Sequence, residues 1–117
     1  MINMDTITYD DFVKVDIRVG TITSAELVPK SKKLVKLEVS FGTETRTILA
    51  GIASMIPFLL DSKVENFAGR QVVAVLNLAP REMMGIQSHG MLLAAHGADG
   101  NLSLASCPGA PDGAALG

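Results

Sequence analysis

Residues 77–95, NLAPREMMGIQSHGMLLAA, join two apolar segments through a loop of unusual composition. The preceding residues 71–76 are apolar after the first, a pattern typical of a strand buried on both faces. The loop then carries methionines, an arginine, a serine and a proline, and an apolar run resumes at Met91. Binding residues concentrate on loops that a rigid scaffold holds in place. We therefore interpret this stretch as a contact loop between two core strands.

The sequence before this loop predicts three consecutive antiparallel strands. The first extends from Val13 to about Val28, and a phase change in its alternation at Gly20 predicts a β-bulge there. Alternating apolar residues predict a second strand over 35–41, and a third strand over 45–50 follows a tight turn. These strands form a meander.

Helical segments are predicted on both sides of this meander. Thr8 is placed to cap a short helix that begins at Tyr9. The Pro-containing segment 52–60 breaks the alternation and predicts a short helix or an irregular connection, with Ser54 or Ser62 as its cap.

Two further strands complete the prediction. The fourth covers about 70–78 and the fifth covers 90–96. A Gly-rich turn then leads to a short extra strand at 102–104. The tail from Pro108 is rich in Pro, Gly and Ala and shows no strand or helix pattern of its own.

Size and composition fit a single domain. The chain has 117 residues, of which 48% are hydrophobic and only 4% aromatic, so one aliphatic core is expected. We predict one domain over residues 1–117, with a core at about 12–105 and a C-terminal extension at about 106–117. Two methionines among the first four residues suggest a natural start of translation.

Charge and cysteine content limit the classes of function. The formal net charge of −2 argues against a protein that coats nucleic acid, although four lysines within residues 30–36 form a local basic cluster. The single cysteine, Cys107, excludes an internal disulfide. No signal-peptide pattern opens the chain and no apolar stretch approaches bilayer length. A cytoplasmic protein with no membrane association is expected.

No arrangement of residues predicts catalysis or a metal site. The spacings between His89, His96 and Cys107 match no structural zinc pattern. Ser88 and His89 are adjacent, so their side chains diverge in an extended segment, and no acid is placed to orient the histidine. We expect a non-catalytic protein without metal or cofactor.

Three strands, a helical connection and two more strands, with a bulged first strand, are the order of an all-β, five-stranded OB-fold barrel. Small extensions flank the barrel at both termini. In this fold the second and third strands bind oligonucleotides or oligosaccharides, together with the loops between strands one and two and between strands four and five. Here those loops are the lysine-rich turn at 29–33 and the segment 79–90. The two most distinctive parts of the sequence are therefore predicted to lie on one side of the barrel.

Four segments carry a resemblance to a known family: KVDIRVG (14–20), SKKLVKLEV (31–39), RTILAGI (46–52) and NLAPREMMGIQSHGMLLAA (77–95). They resemble the tRNA-binding domain appended to methionyl-tRNA synthetase, a domain that also stands alone as a structure-specific tRNA-binding protein. The likeness extends over about residues 12–105. Its most specific element is the pattern Gly-x-x-Ser-x-Gly-Met, which we call the signature segment and which occupies residues 85–91.

The resemblance implies a homodimeric OB-fold module that holds the outer corner of tRNA with little dependence on tRNA sequence. It also implies a role beside a synthetase catalytic domain, assisting aminoacylation or tRNA handling in cis or in trans. Carried over position by position, the tRNA-binding residues are Lys32, Lys33, Lys36, Arg46, Asn77, Arg81, Ser88 and Met91.

Several alternatives stay open at the level of sequence. The lysine cluster is either a solvated turn or a phosphate contact. Met91 either packs the core or stacks on a base, and the Ser88 hydroxyl either stabilises the loop or bonds RNA. The whole chain is a tRNA-binding module or, alternatively, a chaperone-like protein-interaction module on the same fold that binds polypeptides.

Overall fold

The strands of this chain form one curled sheet and two small hairpins. The computed structural model describes residues 5–59 and 63–117. Within these residues the strands are, in chain order, β1 (Ile17–Leu27), β2 (Val35–Ser40), β3 (Thr45–Ala50), β4 (Gln71–Val75), β5 (Arg81–Met83), β6 (Ile86–Ser88), β7 (Met91–Leu92), β8 (Ala94–His96), β9 (Leu102–Leu104) and β10 (Ala115–Leu116). The helices in the same residues are α1 (Tyr9–Phe12), α2 (Ile56–Leu59) and two 3-10 helices at Ala53–Met55 and Val64–Phe67.

The main sheet has the strand order β3-β2-β1-β4-β7, and its pairs are antiparallel. The long strand β1 joins the two halves, because its first part pairs with β4 and its second part pairs with β2. Helical segments connect β3 to β4. This arrangement confirms the predicted all-β OB-fold.

The barrel closes where β3 meets the residues that precede β7. The His89 N–H donates to the Thr47 carbonyl oxygen at 2.9 Å. The Leu49 N–H donates to Ser88 Oγ at 3.0 Å, and that hydroxyl donates in turn to the Gly90 carbonyl oxygen at 3.2 Å. Ser88 is only 3% exposed. Its hydroxyl therefore accepts a hydrogen bond from a buried backbone N–H where the barrel closes. We call this contact between β3 and the residues before β7 the seam.

The barrel interior is mainly aliphatic, as the composition predicts, with Phe41 and Phe67 as its aromatic members. Alternate residues of β2 are buried, and four consecutive residues of β4, Val72–Val75, are buried on both faces of that strand. The connected core consists of Ile22, Val35, Leu37, Val39, Phe41, Ile48, Ile52, Met55, Phe67, Val72, Ala74 and Leu76. Both hydrophobic patterns seen in the sequence are therefore confirmed.

The irregularity of β1 lies beyond the predicted position. The register with β2 shifts between Ile22 and Ser24, so Thr23 is the extra residue and the predicted bulge at Gly20 is wrong. The alternation changes phase at Gly20 because β1 buries its two faces in succession. Val19 on one face and Ile22 on the other are both 0% exposed.

The strand β1 begins at Ile17 rather than at Val13, because the chain continues to turn after α1. Thr8 caps α1 as predicted. The Val15 N–H then donates to the Phe12 carbonyl oxygen at 3.0 Å. A backbone group used in a turn is not available for a strand ladder.

The segment predicted as one loop, 79–90, contains the hairpin β5–β6. Met84 and Gly85 connect its strands with φ values of 52° and 78°. Two successive positive φ values define a type I′ turn, whose twist matches that of a two-residue hairpin. The ends of the neighbouring strands also differ from prediction, because β4 ends at Val75 and the predicted fifth strand is divided into β7 and β8.

The connection between β3 and β4 contains short helical segments, at Ala53–Met55, Ile56–Leu59 and Val64–Phe67. Ser54 does not cap it, because Ile52 holds the N-cap position and makes no side-chain hydrogen bond there. Two parts of that prediction, Leu60 and Ser62, lie outside the described residues. In the described part of the chain, no helix is long and apolar enough to cross a membrane.

The C-terminal tail adopts a structure that its own sequence pattern does not indicate. Its last strand, β10, pairs with the first residues of β1, so that Leu116 lies opposite Ile17. Gln71 on β4 also holds the tail: its Nε2 donates to the Cys107 carbonyl oxygen at 3.0 Å and to that of Ala110 at 3.3 Å. The tail is therefore structured by its partners in the barrel.

We expect Gly20→Ala to destabilise the fold by about 1–3 kcal/mol through overpacking. A Cβ at this position would lie 2.7 Å from Phe41 Cε1 and 2.8 Å from Val39 Cγ1, both in the core. Urea denaturation measures the loss. The matched control is Gly51→Ala, because no atom lies within 4 Å of a Cβ there, and an equal unfolding free energy for the two variants would contradict the prediction.

We expect Ser88→Ala to lower the free energy of unfolding by about 1–3 kcal/mol, because the buried Leu49 N–H then loses its acceptor. Thermal and urea denaturation measure the change. Ser103→Ala, at an exposed position on β9, is the control and should stay within about 0.5 kcal/mol of the unmodified protein. An unchanged stability for Ser88→Ala would show that the hydroxyl does not hold the seam.

Candidate functional site

Two concave regions adjoin each other where β3 ends and share part of their lining. One half, of 370 Å³, is bordered by the end of β3, the hairpin β5–β6 and β7. The other half, of 410 Å³, is bordered by Lys32 and Lys33, the segment 51–54 and the hairpin β8–β9. We call the two halves together the groove. Three residues line both halves: Gly51, His96 and Leu102. The lysine turn and the hairpin β5–β6 therefore border the same surface feature.

Positive charge marks the two halves of the groove. Arg81 lines the first half, and Lys32 and Lys33 line the second. All three residues are exposed, and none of them forms an ion pair within the described part of the chain. Their charges are therefore available to an anionic partner.

The wall between these cations is mainly apolar. Met91, which is 49% exposed, and the half-buried Met83 and Leu102 contribute to it. Among the described residues that line the groove there is no aspartate or glutamate. An apolar middle with cationic ends suits a polyanion that also carries apolar faces, as nucleic acid does.

Ser88 lies in the wall of the groove, but its hydroxyl is already engaged. It accepts the Leu49 N–H and donates to the Gly90 carbonyl oxygen in the seam. The geometry therefore favours the loop-stabilising alternative for this residue.

Lys36 lies beside the groove without lining it. Its cross-strand partner Leu49 does line the groove. The Lys36 Nζ, however, is 3.4 Å from Glu26 Oε1, and the Glu26 side chain is largely exposed. This ion pair is a weak, solvent-screened one that a phosphate can replace.

Arg46 lies outside the groove and ties together three parts of the barrel. Its Nη1 donates to the Leu76 carbonyl oxygen at 2.6 Å and to that of His89 at 3.4 Å. Its Nη2 is 3.2 Å from Glu44 Oε1. Most of the donor capacity of this guanidinium is therefore used within the protein.

Asn77 also lies outside the groove. Its Oδ1 accepts the Asp16 N–H at 2.8 Å, and its Nδ2 donates to the Lys14 carbonyl oxygen. The amide thus fastens the segment before β1 to the end of β4. Of the eight residues carried over from the resemblance, Lys32, Lys33, Arg81, Ser88 and Met91 line one groove, whereas Lys36, Arg46 and Asn77 do not.

The sequence prediction missed His96, Leu102 and the segment 51–54. The pairing of β8 with β9 places His96 opposite Leu102. The Gly-rich turn between two short apolar runs predicts this hairpin, but not its position beside the lysine turn. From the sequence, His96 is considered only as a possible metal ligand. Within the described residues, no three His, Cys, Asp or Glu side chains lie close enough together to hold a metal ion.

Comparison with known proteins identifies relatives of the whole barrel. A family model described as "Putative tRNA binding domain" matches residues 17–114. The methionine–tRNA ligase of Bacteroides fragilis is 46% identical over 98 residues, which are 84% of this chain and 14% of the ligase. The ligase of Chlorobium limicola is 50% identical over 96 residues, 82% of this chain and 13% of the ligase. The chain thus spans about 14% of the length of such relatives.

Solved structures show the same architecture. A crystal structure of a MetRS-related protein from Pyrococcus horikoshii matches with a TM-score of 0.85 and 38% identity, covering 97% of this chain and 99% of that one. A crystal structure of the chaperone CsaA from Bacillus anthracis matches with a TM-score of 0.78 and 27% identity, covering 97% of this chain and 100% of that one.

The family match begins at the first residue of β1 and ends just before β10, so it contains the barrel, the seam and both loops that border the groove. It confirms the resemblance found in the signature segment. This chain belongs to the family of tRNA-binding domains.

Proposed function

We propose that this chain binds tRNA in the groove, with Lys32, Lys33 and Arg81 meeting phosphates. The observation that carries the proposal is the convergence of these cations, from two loops distant in sequence, on one groove whose described lining includes no carboxylate. Phosphate contacts position a protein on nucleic acid without reading its sequence. The proposed binding therefore depends on tRNA shape more than on tRNA sequence.

The remaining residues of the prediction take supporting roles in this proposal. Met91 offers an exposed thioether to bases at the edge of the groove, and Lys36 exchanges Glu26 for a phosphate. Ser88, Arg46 and Asn77 act through the fold. Ser88 and Arg46 bond backbone groups that hold the chain before β7 against the barrel, and Asn77 bonds the segment before β1.

We further propose that the chain serves as an accessory module of methionyl-tRNA synthetase, in cis or in trans. Its relatives include methionine–tRNA ligases, of which it spans about 14%. A module that holds tRNA raises the concentration of that tRNA near a catalytic domain. The binding itself requires no catalytic residue, and cytoplasmic tRNA is the expected partner.

A homodimer is also part of the proposal. The N-terminal segment exposes a group of large apolar side chains: Ile7, Tyr9, Phe12, Val13 and Val15. Contiguous exposed apolar surface marks interaction sites on monomeric folds. This segment lies before β1 and does not line the groove, so dimerisation through it leaves both grooves open.

A second candidate function is polypeptide binding of the chaperone kind. Two observations favour it: the structural similarity to the chaperone CsaA, and the apolar wall of the groove, which includes Met83 and Met91. Methionine surfaces adapt to partners of varied shape. The two candidates differ in how far binding depends on the cations of the groove.

The double variant Lys32→Glu/Lys33→Glu should lower tRNA affinity by about 10- to 100-fold at low salt. It should also reduce the slope of log K against log [salt] by about 1.5, because two phosphate contacts are lost. Fluorescence anisotropy with total tRNA over a KCl series measures both quantities. Lys14→Glu/Lys63→Glu is the control, since it changes net charge equally at exposed positions that do not line the groove.

An unchanged affinity of the Lys32→Glu/Lys33→Glu variant would contradict tRNA binding in the groove. Binding of an unfolded polypeptide that survives this double substitution, in a protein that retains no tRNA, would instead support the chaperone-like function.

Val13→Glu should raise the dissociation constant of the homodimer at least about tenfold, because it places a charge on the exposed N-terminal apolar segment. Sedimentation velocity over a concentration series measures the change. Leu27→Glu is the matched control, since Leu27 is 56% exposed and Val13 is 52% exposed, but Leu27 lies at the far end of β1. A monomer at all concentrations of the unmodified chain would refute the homodimer.

A further inference from the structure

His96 occupies the middle of the groove. It is the last residue of β8, where it lies opposite Leu102 of β9. Both residues line each half of the groove, so they lie between the half that contains Arg81 and the half that contains Lys32 and Lys33. A ligand that occupies both halves would therefore lie close to the His96 side chain.

His96 is also the one aromatic ring among the described residues that line the groove. The side chain is exposed, and no hydrogen bond holds its imidazole within the part of the chain that the structure describes. Met91 and Leu102 add apolar surface to the lining of the half that contains Arg81. Histidine is among the side chains on which unpaired bases stack in RNA-binding proteins.

The electrostatic surroundings favour a nucleotide over an uncharged ligand. Cations stand in both halves of the groove, while the nearest turn, residues 97–101, carries one carboxylate. The Asp99 carboxylate is engaged inside that turn, because its Oδ1 accepts the Asn101 N–H at 3.0 Å and its Oδ2 accepts Asn101 Nδ2 at 2.8 Å. A base beside His96 would therefore have its flanking phosphates near positive charge on both sides.

A base that remains paired in its duplex cannot stack on His96. Each half has a volume in the range of pockets that enclose small ligands. A paired base keeps both faces within the helical stack, so only an unpaired base can present a face to the imidazole.

We infer that the groove accepts one unpaired nucleotide of the bound RNA, with its base stacked on His96 and its flanking phosphates between Lys32, Lys33 and Arg81. This inference rests on the proposed tRNA binding and adds to it a preference for RNA in which a base is free to leave the helix. His96 is then a contact residue of the interface.

The test uses two RNA hairpins of equal length, one fully paired and one with a single-nucleotide bulge of 2-aminopurine. The intact protein should bind the bulged hairpin about tenfold more tightly, the effect of one base–aromatic stack. The fluorescence of 2-aminopurine should change on binding. His96→Ala should abolish both the preference and the fluorescence change, whereas His96→Phe should retain them.

His89→Ala is the matched control, because His89 is exposed and does not line the groove. Its preference for the bulged hairpin should equal that of the intact protein. Equal affinity of the intact protein for both hairpins, or an unchanged preference in His96→Ala, would overturn the stacking inference and leave tRNA binding in place. If the intact protein bound neither tRNA nor the two hairpins, both proposals would be overturned.

Discussion

The hydrogen bond from the Leu49 N–H to Ser88 Oγ is the interaction on which the rest of the structure depends. A curled sheet with the order β3-β2-β1-β4-β7 has two end strands, and each would expose unpaired backbone groups unless the ends meet. Ser88 and the His89 N–H bring the chain before β7 against β3. Because hairpin β5–β6 ends at Ser88, the same contact fixes the wall of the groove. The same contact therefore closes the barrel and positions the wall of the candidate site.

The sequence predicts those parts of the fold in which the apolar pattern of a strand, alternating or continuous, follows directly from its burial. Strand β2 alternates and β4 is apolar after Gln71, and both patterns predict the observed burial. Prediction failed where a partner distant in sequence decides the conformation. The tail has no pattern because β1 and the Gln71 amide supply its hydrogen bonds. The phase change at Gly20 was attributed to a bulge, although it results from the burial of both faces of β1.

The site could be predicted in part for a similar reason. The order of strands in an OB-fold brings the loop after β1 near the loop after β4, so the sequence predicts that the lysine turn and Arg81 lie on one side of the barrel. Arg46 and Asn77 are polar residues of the segments next to these loops. The sequence alone does not reveal that their side chains are already hydrogen-bonded to backbone groups of the barrel. The sequence does not indicate that His96 lines the groove, because this location follows from the position of hairpin β8–β9 and not from a motif.

The signature segment 85–91 is explained by architecture at all but one of its fixed positions. Gly85 has φ 78° in the type I′ turn, and Ser88 closes the seam. Gly90 has φ 144°, and a Cβ there would lie 3.1 Å from the Val75 carbonyl oxygen, so a side chain would push β7 away from the barrel. Met91 alone faces the groove with an exposed side chain. The motif therefore specifies how the wall of the groove is built, while the residues that we propose to contact the ligand, Lys32, Lys33, Arg81 and His96, lie outside it.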